Sequence, residues 1–265
     1  MADGSPSPLA VVTGASSGIG FELARRLAGA GHDLVVAAED AGLHDAAARL
    51  RADAPDAAVD PVQVDLATPD GIERLVAHLG DRPVDALLVN AGVAVGGGAF
   101  IDTDLDRHLD LIGLNVTGAV HLTHRVVSRM AARGEGRVLI TSSIAAKAPG
   151  PYLSTYSASK AFLHAFALAL RVELADRGVS VTALMPGPTD TPIWERGDME
   201  DTAMAEMAVA DPASVARAGI DAMFAGKDHV VPGIVNKVAV AVSDLLPDAA
   251  VAASQAPATE PRSGR

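Results

Sequence analysis

The chain has no cysteine among its 265 residues, and only 3% of the residues are aromatic. The absence of cysteine excludes disulfides and thiol redox chemistry, and it is compatible with the cytoplasm, where we expect the protein to act. Because apolar residues still reach 49%, the core must be built from alanine, valine and leucine. Such side chains suit tightly packed helices on a parallel sheet.

Positive charge is also scarce. Lysine and arginine total 21 against 33 aspartate and glutamate residues, which gives a formal net charge of −12. This balance argues against nucleic acid or an anionic membrane as a partner. Residues 1–8 lack the basic and apolar regions of a signal peptide, and no apolar run approaches the ~18 residues that span a bilayer. No metal site is expected, because His121 and His124 share a helix face without a third ligand at metal spacing.

Short apolar segments alternate with helical patterns along the chain, which predicts an α/β fold with a doubly wound parallel sheet of about seven strands and helices on both faces. Helices are expected near 19–30, 42–53, 70–80, 103–133, 153–177 and 212–225. The predicted strands are Leu9–Thr13, Leu34–Ala38, Pro61–Asp65, Ala86–Asn90, Arg137–Ser142, Val179–Met185 and His229–Val231. At 265 residues a single domain is plausible, and we place it at 9–246, after an N-terminal arm at 1–8 and before a flexible, Ala/Pro/Ser-rich tail at 247–265.

A glycine-rich turn follows the first strand. The segment Gly14-Ala-Ser-Ser-Gly18-Ile-Gly20 leads directly into an amphipathic helical pattern. Glycine permits positive φ and lets the backbone approach a ligand closely, while a helix N-terminus offers free N–H groups to phosphate. The turn therefore predicts dinucleotide binding, although its glycine spacing differs from Gly-x-Gly-x-x-Gly.

The same turn also matches the Gly-x-Ser-x-Gly nucleophile elbow of α/β-hydrolases through Gly14, Ser16 and Gly18. In that fold several strands precede the elbow, including one whose loop supplies the oxyanion hole. Here only about eight residues precede the first strand, so the hydrolase interpretation is disfavoured.

A second set of polar residues lies near the middle of the chain. Tyr156 and Lys160 are four residues apart in a helical pattern and so share a helix face, and Ser143 precedes the tyrosine by 13 residues. A nearby cation favours phenolate and would lower the pKa of Tyr156 from about 10 toward working pH. A tyrosine tuned in this way is a general base for an alcohol or a general acid for a ketone.

These motifs occur in an order that resembles the short-chain dehydrogenase/reductase (SDR) family over about Leu9–Val231. Additional matches are Asn90-Ala-Gly92, Asp65-Leu66 and Asn115. Departures are small: Val89 stands where the family often has a second asparagine, and Ala146 replaces a frequent glycine.

The resemblance implies a Rossmann-like NAD(P)-dependent oxidoreductase that interconverts a secondary alcohol and a ketone. Tyr156 would transfer the proton, Ser143 would fix the substrate oxygen, and Lys160 would bind the nicotinamide ribose and lower the tyrosine pKa. Asn115 would hold a water in a proton relay, and a substrate lid would lie at about 190–210, where Trp194 and several methionines offer adaptable apolar contacts. Implied cofactor contacts come from Thr13, Gly14, Ser16, Ser17, Gly18, Ile19, Gly20, Glu39, Asp65, Leu66, Asn90, Ala91, Gly92, Tyr156, Lys160, Pro186, Gly187, Thr189 and Thr191.

NAD(H) is expected over NADP(H), because Glu39 stands where NADP-preferring relatives place an arginine, and Asp40 lies beside it. A carboxylate accepts hydrogen bonds from ribose hydroxyls but repels a 2′-phosphate.

Two other functions remain open within this fold. A same-fold epimerase or dehydratase also uses Tyr-x-x-x-Lys, but usually with a different glycine turn and a longer C-terminal substrate domain. A catalytically silent dinucleotide-binding regulator would have no need of the full set of Ser143, Tyr156 and Lys160. The family further implies a homodimer or homotetramer that pairs the long helices near 103–133 and 153–177.

Overall fold

The computed structural model describes residues 7–207 and 209–262. Seven strands form one sheet, and every neighbouring pair is parallel. The strands are β1 Leu9–Thr13, β2 Asp33–Ala38, β3 Val59–Gln63, β4 Ala86–Val89, β5 Gly136–Thr141, β6 Val179–Leu184 and β7 His229–Val230. Their spatial order is β3-β2-β1-β4-β5-β6-β7. Strands β2 and β3 thus extend the sheet on one side of β1, and β4 to β7 extend it on the other, which places the reversal of strand order between β1 and β4. The predicted doubly wound fold is confirmed.

Helices cover both faces of this sheet. They are α1 Gly18–Gly29, α2 Gly42–Asp53, α3 Pro69–Leu79, α4 Leu105–Ile112, α5 Ala119–Arg133, α6 Ser154–Glu173, α7 Ile193–Arg196, α8 Ala203–Glu206, α9 Pro212–Phe224, α10 Ile234–Ser243 and α11 Asp248–Thr259. Within residues 7–207 and 209–262, no helix combines the length and hydropathy that crossing a membrane requires.

The strands are buried on both sides, and the two faces of the sheet carry separate cores. In β1, Val11 packs into the core that α3, α5 and α6 cover, while Ala10 and Val12 pack into the core under α1, α2 and α9. The largest fully buried side chains among the described residues are leucines and one isoleucine. Aliphatic side chains thus fill the core, as expected for a chain with few aromatic residues.

Three local predictions need correction. The strand expected at Pro61–Asp65 lies two residues earlier, at the sheet edge, where Pro61 can pair although it has no N–H to donate. The helix expected near 103–133 is interrupted by a π-helical turn over Gly113–Gly118. This turn lies close to the loop after β3, since a β-carbon at Gly118 would overlap the carbonyl oxygen of Leu66.

The third correction concerns the tail expected to be loose at 247–265. Helix α11 occupies most of it, and its residues Val251 and Thr259 are only 3% and 2% exposed. Alanine has the highest helix propensity, and its small side chain lets α11 pack against α8. Parts of the arm (1–6) and of the tail (263–265), and Ala208 in the predicted lid, lie outside the described residues.

Candidate active site

A cavity of about 440 Å³ opens at the carboxyl ends of the central strands. Parallel doubly wound sheets bind ligands at this edge, near the point where the strand order reverses. The glycine turn after β1, the ends of β4, β5 and β6, and helices α6, α7 and α11 all contribute to its walls.

The glycine turn leaves room for a phosphate group. Gly14 has φ +66°, and a β-carbon there would come within 2.8 Å of the Cα of Ala91, while one at Gly20 would overlap the carbonyl oxygen of Gly14. Ser17, the N-cap of α1, makes no capping hydrogen bond through its side chain, so the first-turn N–H groups are available to a ligand. Four more residues of the turn line the cavity: Ser16, Ser17, Gly18 and Ile19. This arrangement fits the pyrophosphate of a dinucleotide.

Thr13 supports the site from beneath rather than lining it. Its hydroxyl donates to the carbonyl of Leu88 and accepts from the N–H groups of Asn90 and Ala91 at 3.0 Å each. Asn90 in turn donates to the Thr13 carbonyl and accepts from the hydroxyl of Thr141. The ends of β1, β4 and β5 are thereby fixed together, and Asn90, Ala91 and Gly92 form part of the cavity wall.

The end of β2 is acidic. Glu39 is exposed at the cavity rim, and its carboxylate has no hydrogen-bond or salt-bridge partner among the residues described. Asp40 accepts a 2.7 Å hydrogen bond from the hydroxyl of Ser16, and its carboxylate lies 3.9 Å from the guanidinium of Arg196. Leu66 lines the cavity, whereas Asp65 is exposed outside it and binds the N–H of Ala67.

Ser143, Tyr156 and Lys160 meet on one side of the cavity. Ser143 follows β5 directly, and α6 carries the other two residues. The Lys160 ammonium donates to the carbonyl of Thr141 at 3.0 Å and lies 5.7 Å from the centre of the Tyr156 ring. The Ser142 hydroxyl donates to the carbonyl of Lys160, which fixes α6 against β5.

The pKa values of this cluster differ from the sequence-based expectation. Burial raises the pKa of Tyr156, and a hydrogen bond with Ser143 only partly opposes the increase. Burial lowers the pKa of Lys160 to about 8. The expected decrease of the tyrosine pKa is therefore not seen in this geometry, where the effect of burial dominates and the ammonium donates to the Thr141 carbonyl. Tyr156 is consequently held as a neutral phenol, which can donate a proton.

Asn115 lies in the π-helical turn and is fully buried. Its side chain binds both the N–H and the carbonyl of Val93 at 2.9 Å and donates to the hydroxyl of Ser159. A β-carbon at Gly92 would lie 3.1 Å from the Asn115 Oδ1 and 3.3 Å from the Lys160 Nζ. A side chain at Gly92 would therefore press against both groups.

The segment after β6 covers the cavity. Four of its residues, for which the sequence predicts cofactor contacts, line the cavity: Pro186, Gly187, Thr189 and Thr191. The indole N–H of Trp194 donates to the Thr189 carbonyl at 2.8 Å, which holds α7 over the opening. Met199, Met204 and Met207 also line the cavity.

Several lining residues were missed by sequence reasoning. They carry no motif: Leu153 is the N-cap of α6, and the others come from the lid and the C-terminal helices, namely Arg196, Asn236, Gln255, Ala258 and Thr259. The one available signal was the alanine-rich composition of residues 249–258, which favours a helix as well as a loose tail.

Comparisons with known proteins agree with this geometry. The family model described as short chain dehydrogenase matches residues 8–201. A Streptomyces coelicolor protein, provisionally named a ketoacyl reductase, is 38% identical over 192 residues, which are 71% of this chain and 72% of that protein. A short-chain dehydrogenase from Sphingobium yanoikuyae in complex with NADPH superposes with a TM-score of 0.80 at 31% identity, over 90% of this chain and 94% of that one.

A variant of actinorhodin polyketide ketoreductase, also with NADPH, gives a TM-score of 0.75 at 30% identity, over 86% of this chain and 95% of that one. Both solved structures thus contain the phosphorylated cofactor. They support a nicotinamide dinucleotide for this protein, and they do not support the expected preference for NAD(H).

Proposed function

The chain belongs to the short chain dehydrogenase family, and we propose that it interconverts a ketone and a secondary alcohol with a nicotinamide cofactor. The observation that carries this proposal is the convergence of Ser143, Tyr156 and Lys160 in the cavity that the glycine turn also lines. Carbonyl reduction requires a site for the cofactor's phosphates, here the glycine turn Gly14–Gly20 (the phosphate cradle), and a proton donor in the same cavity. The ketoacyl reductase names of the relatives support a carbonyl substrate.

Each residue has a role that follows from its position. A bound reduced nicotinamide would supply a hydride to the carbonyl carbon. The neutral phenol of Tyr156 donates the proton that the substrate oxygen needs, and its raised pKa keeps that proton in place until transfer. The Ser143 hydroxyl can turn from its long, 3.4 Å hydrogen bond with the Pro186 carbonyl toward the substrate oxygen.

Lys160 and Asn115 would return the proton to Tyr156. With a pKa of about 8, Lys160 can exchange a proton near neutral pH. A relay water would lie near Gly92, where the Asn115 amide oxygen and the Lys160 ammonium are both close to the same glycine. The amide is fixed by Val93 and Ser159, so it would hold that water in one place.

The choice of cofactor depends on the acidic rim at the end of β2. The exposed carboxylate of Glu39 and the nearby Asp40 favour the ribose hydroxyls of NAD(H) over a 2′-phosphate. The NADPH complexes of the two relatives point the other way, and Arg196, next to Asp40, is the cation that could receive a phosphate.

We predict that kcat/KM is higher with NADH than with NADPH, and that Glu39→Gln moves the ratio toward NADPH. Removing one carboxylate near the 2′-phosphate should change the ratio of kcat/KM with NADPH to kcat/KM with NADH about tenfold. This change corresponds to about 1.4 kcal/mol of repulsion removed. Asp53→Asn is the control, because Asp53 is an exposed carboxylate at the end of α2 that does not line the cavity. A wild-type preference for NADPH that Glu39→Gln leaves unchanged would contradict the role of this rim.

We further propose that the protein is a homodimer or homotetramer. Apolar side chains on the neighbouring helices α4 and α6 are exposed in the single chain: Leu105 by 61%, Leu109 by 54% and Phe162 by 40%. Burial of such side chains between two copies would stabilise an assembly. Light scattering at micromolar concentration should give at least twice the mass of the chain, and Leu109→Glu should reduce that mass. A monomeric mass for the wild type would exclude the assembly.

A further inference from the structure

Charged side chains occupy only two places in the described cavity wall. Of the described residues that line the cavity, four carry a formal charge at neutral pH. Glu39, Asp40 and Arg196 lie together at the end of β2, where Asp40 and Arg196 are 3.9 Å apart. The fourth, Lys160, is buried beside Tyr156 and bonded to the Thr141 carbonyl. Apart from Arg196, which lies near Asp40, the residues that the lid and the C-terminal helices contribute to the described wall are uncharged.

That uncharged part is mostly hydrocarbon and thioether. Leu153 and Met199 are buried in a small core separate from the two cores of the sheet, and Tyr156, Trp194 and Met204 pack against it. The unbranched methionine side chains can adjust to ligands of different shape. This cluster surrounds the phenol, so it is in position to contact the groups attached to a substrate carbonyl.

Helix α11 completes the wall through Gln255, Ala258 and Thr259. Ala258 contributes only a methyl group, whereas Ala253, on the same helix, is exposed and does not line the cavity. The helix therefore contributes one methyl-sized side chain, that of Ala258, to a wall that also contains the uncharged side chains of Gln255 and Thr259.

Contacts at the C-terminal end of α11 keep this wall in place. Thr259 fits against Gly150, where a β-carbon would come within 2.8 Å of its methyl group. The Tyr152 hydroxyl donates to the carboxylate of Glu260 at 3.0 Å. The N–H of Arg262 donates to the carbonyl of Asp201 at 3.0 Å, so the segment after α11 is joined to the lid.

We propose that the substrate is a neutral ketone with a large apolar group, and that α11 is the wall that selects it. This inference rests on the proposed function and adds the substrate class. A carboxylate or phosphate on the substrate would lose its hydration against the uncharged wall without gaining a partner. Each methylene that the wall buries should instead raise kcat/KM by up to about fourfold, because burial of one methylene is worth about 0.8 kcal/mol.

The test uses the full chain and a panel of methyl alkyl ketones from butanone to nonanone, with acetoacetate as the small charged ketone. For the wild type, kcat/KM should increase along the neutral series and should be at least about tenfold higher for nonanone than for acetoacetate. Quenching of Trp194, which is the one tryptophan of the chain and lines the cavity, gives ketone affinity without turnover and should follow the same order.

Two variants locate the selection on α11. Ala258→Phe should lower kcat/KM for nonanone about tenfold or more and leave butanone within about twofold, because the added ring fills space that only the long chain needs. Ala253→Phe adds the same ring to the exposed face of the helix and should change neither ketone.

The outcomes separate the inference from the function beneath it. If acetoacetate is reduced as well as nonanone, or if Ala258→Phe affects both neutral ketones equally, the inference fails while carbonyl reduction stands. If no ketone of the panel is reduced with either cofactor, the proposed function itself fails.

Discussion

Tyr156→Phe should lower ketone reduction by about 10²–10⁴-fold while the affinity for the cofactor stays within about twofold of the wild type. The substitution removes one hydroxyl and keeps the ring that packs with Leu153 and Met199. Because burial raises the pKa of the phenol, the lost group is the neutral hydroxyl that would donate the proton to the ketone. The two quantities are measured by nicotinamide absorbance under saturating ketone and by quenching of Trp194.

The chain offers a matched control for this variant, since its second tyrosine is Tyr152. Tyr152 directly precedes Leu153 in the sequence. Its hydroxyl donates to the carboxylate of Glu260, and the residue does not line the cavity. With butanone, which is too short to need the α11 wall, Tyr152→Phe should therefore keep kcat within about threefold of the wild type, as expected for the loss of one surface hydrogen bond. Retention of more than about a tenth of the rate by Tyr156→Phe would show that another group donates the proton.

Gly20→Ala should abolish cofactor binding and lower stability. The added methyl group would overlap the Gly14 carbonyl and come within 2.6 Å of the Asn90 amide, so the start of α1 must move away from the phosphate cradle. Overpacking of this kind typically costs about 1–3 kcal/mol of folding free energy. Cofactor affinity, measured by Trp194 quenching, should fall at least about tenfold.

Gly29→Ala is the control at the other end of the same helix. A β-carbon at Gly29 meets no atom within 4 Å, so alanine should fit without strain. Alanine favours helix over glycine by up to about 1 kcal/mol, and the thermal midpoint should stay or rise. A lower thermal midpoint in Gly20→Ala, together with an unchanged or higher one in Gly29→Ala, would assign the loss of stability to the close approach of backbone atoms at Gly20. Wild-type affinity in Gly20→Ala would show that the cradle does not hold the cofactor.

Strong local patterns allowed much of the fold to be predicted from the sequence. The strand Leu9–Thr13 and the helix Gly42–Asp53 have the bounds that periodicity and flanking glycines indicated. The edge strand β3 was misplaced by two residues, because Pro61 argues against a central strand but not against an edge position. The π-helical turn could not be foreseen, because it depends on contacts of Gly118 and Asn115 with residues far away in the sequence.

In the candidate site, too, residues marked by a local motif could be predicted from the sequence, whereas residues brought in by tertiary packing could not. Residues in ordered motifs, such as Ser143 and Tyr156, were identified because their chemistry requires particular side chains at particular spacings. Arg196 and Ala258 belong to segments whose only requirement is shape, so no motif marks them. The pKa of Tyr156 was predicted to fall, because the residue spacing shows that Lys160 is near but not how strongly burial raises the tyrosine pKa.

The central claim is that this cavity transfers a hydride to a carbonyl carbon and that Tyr156 supplies the accompanying proton. It is tested most directly with nicotinamide cofactor that carries deuterium at the transferable position, with mass spectrometry of the alcohol formed from nonanone. The account predicts one deuterium on the carbinol carbon with the wild type, and at least a hundredfold less labelled alcohol in the same time with Tyr156→Phe. Alcohol without the label, or equal labelling by both proteins, would contradict it.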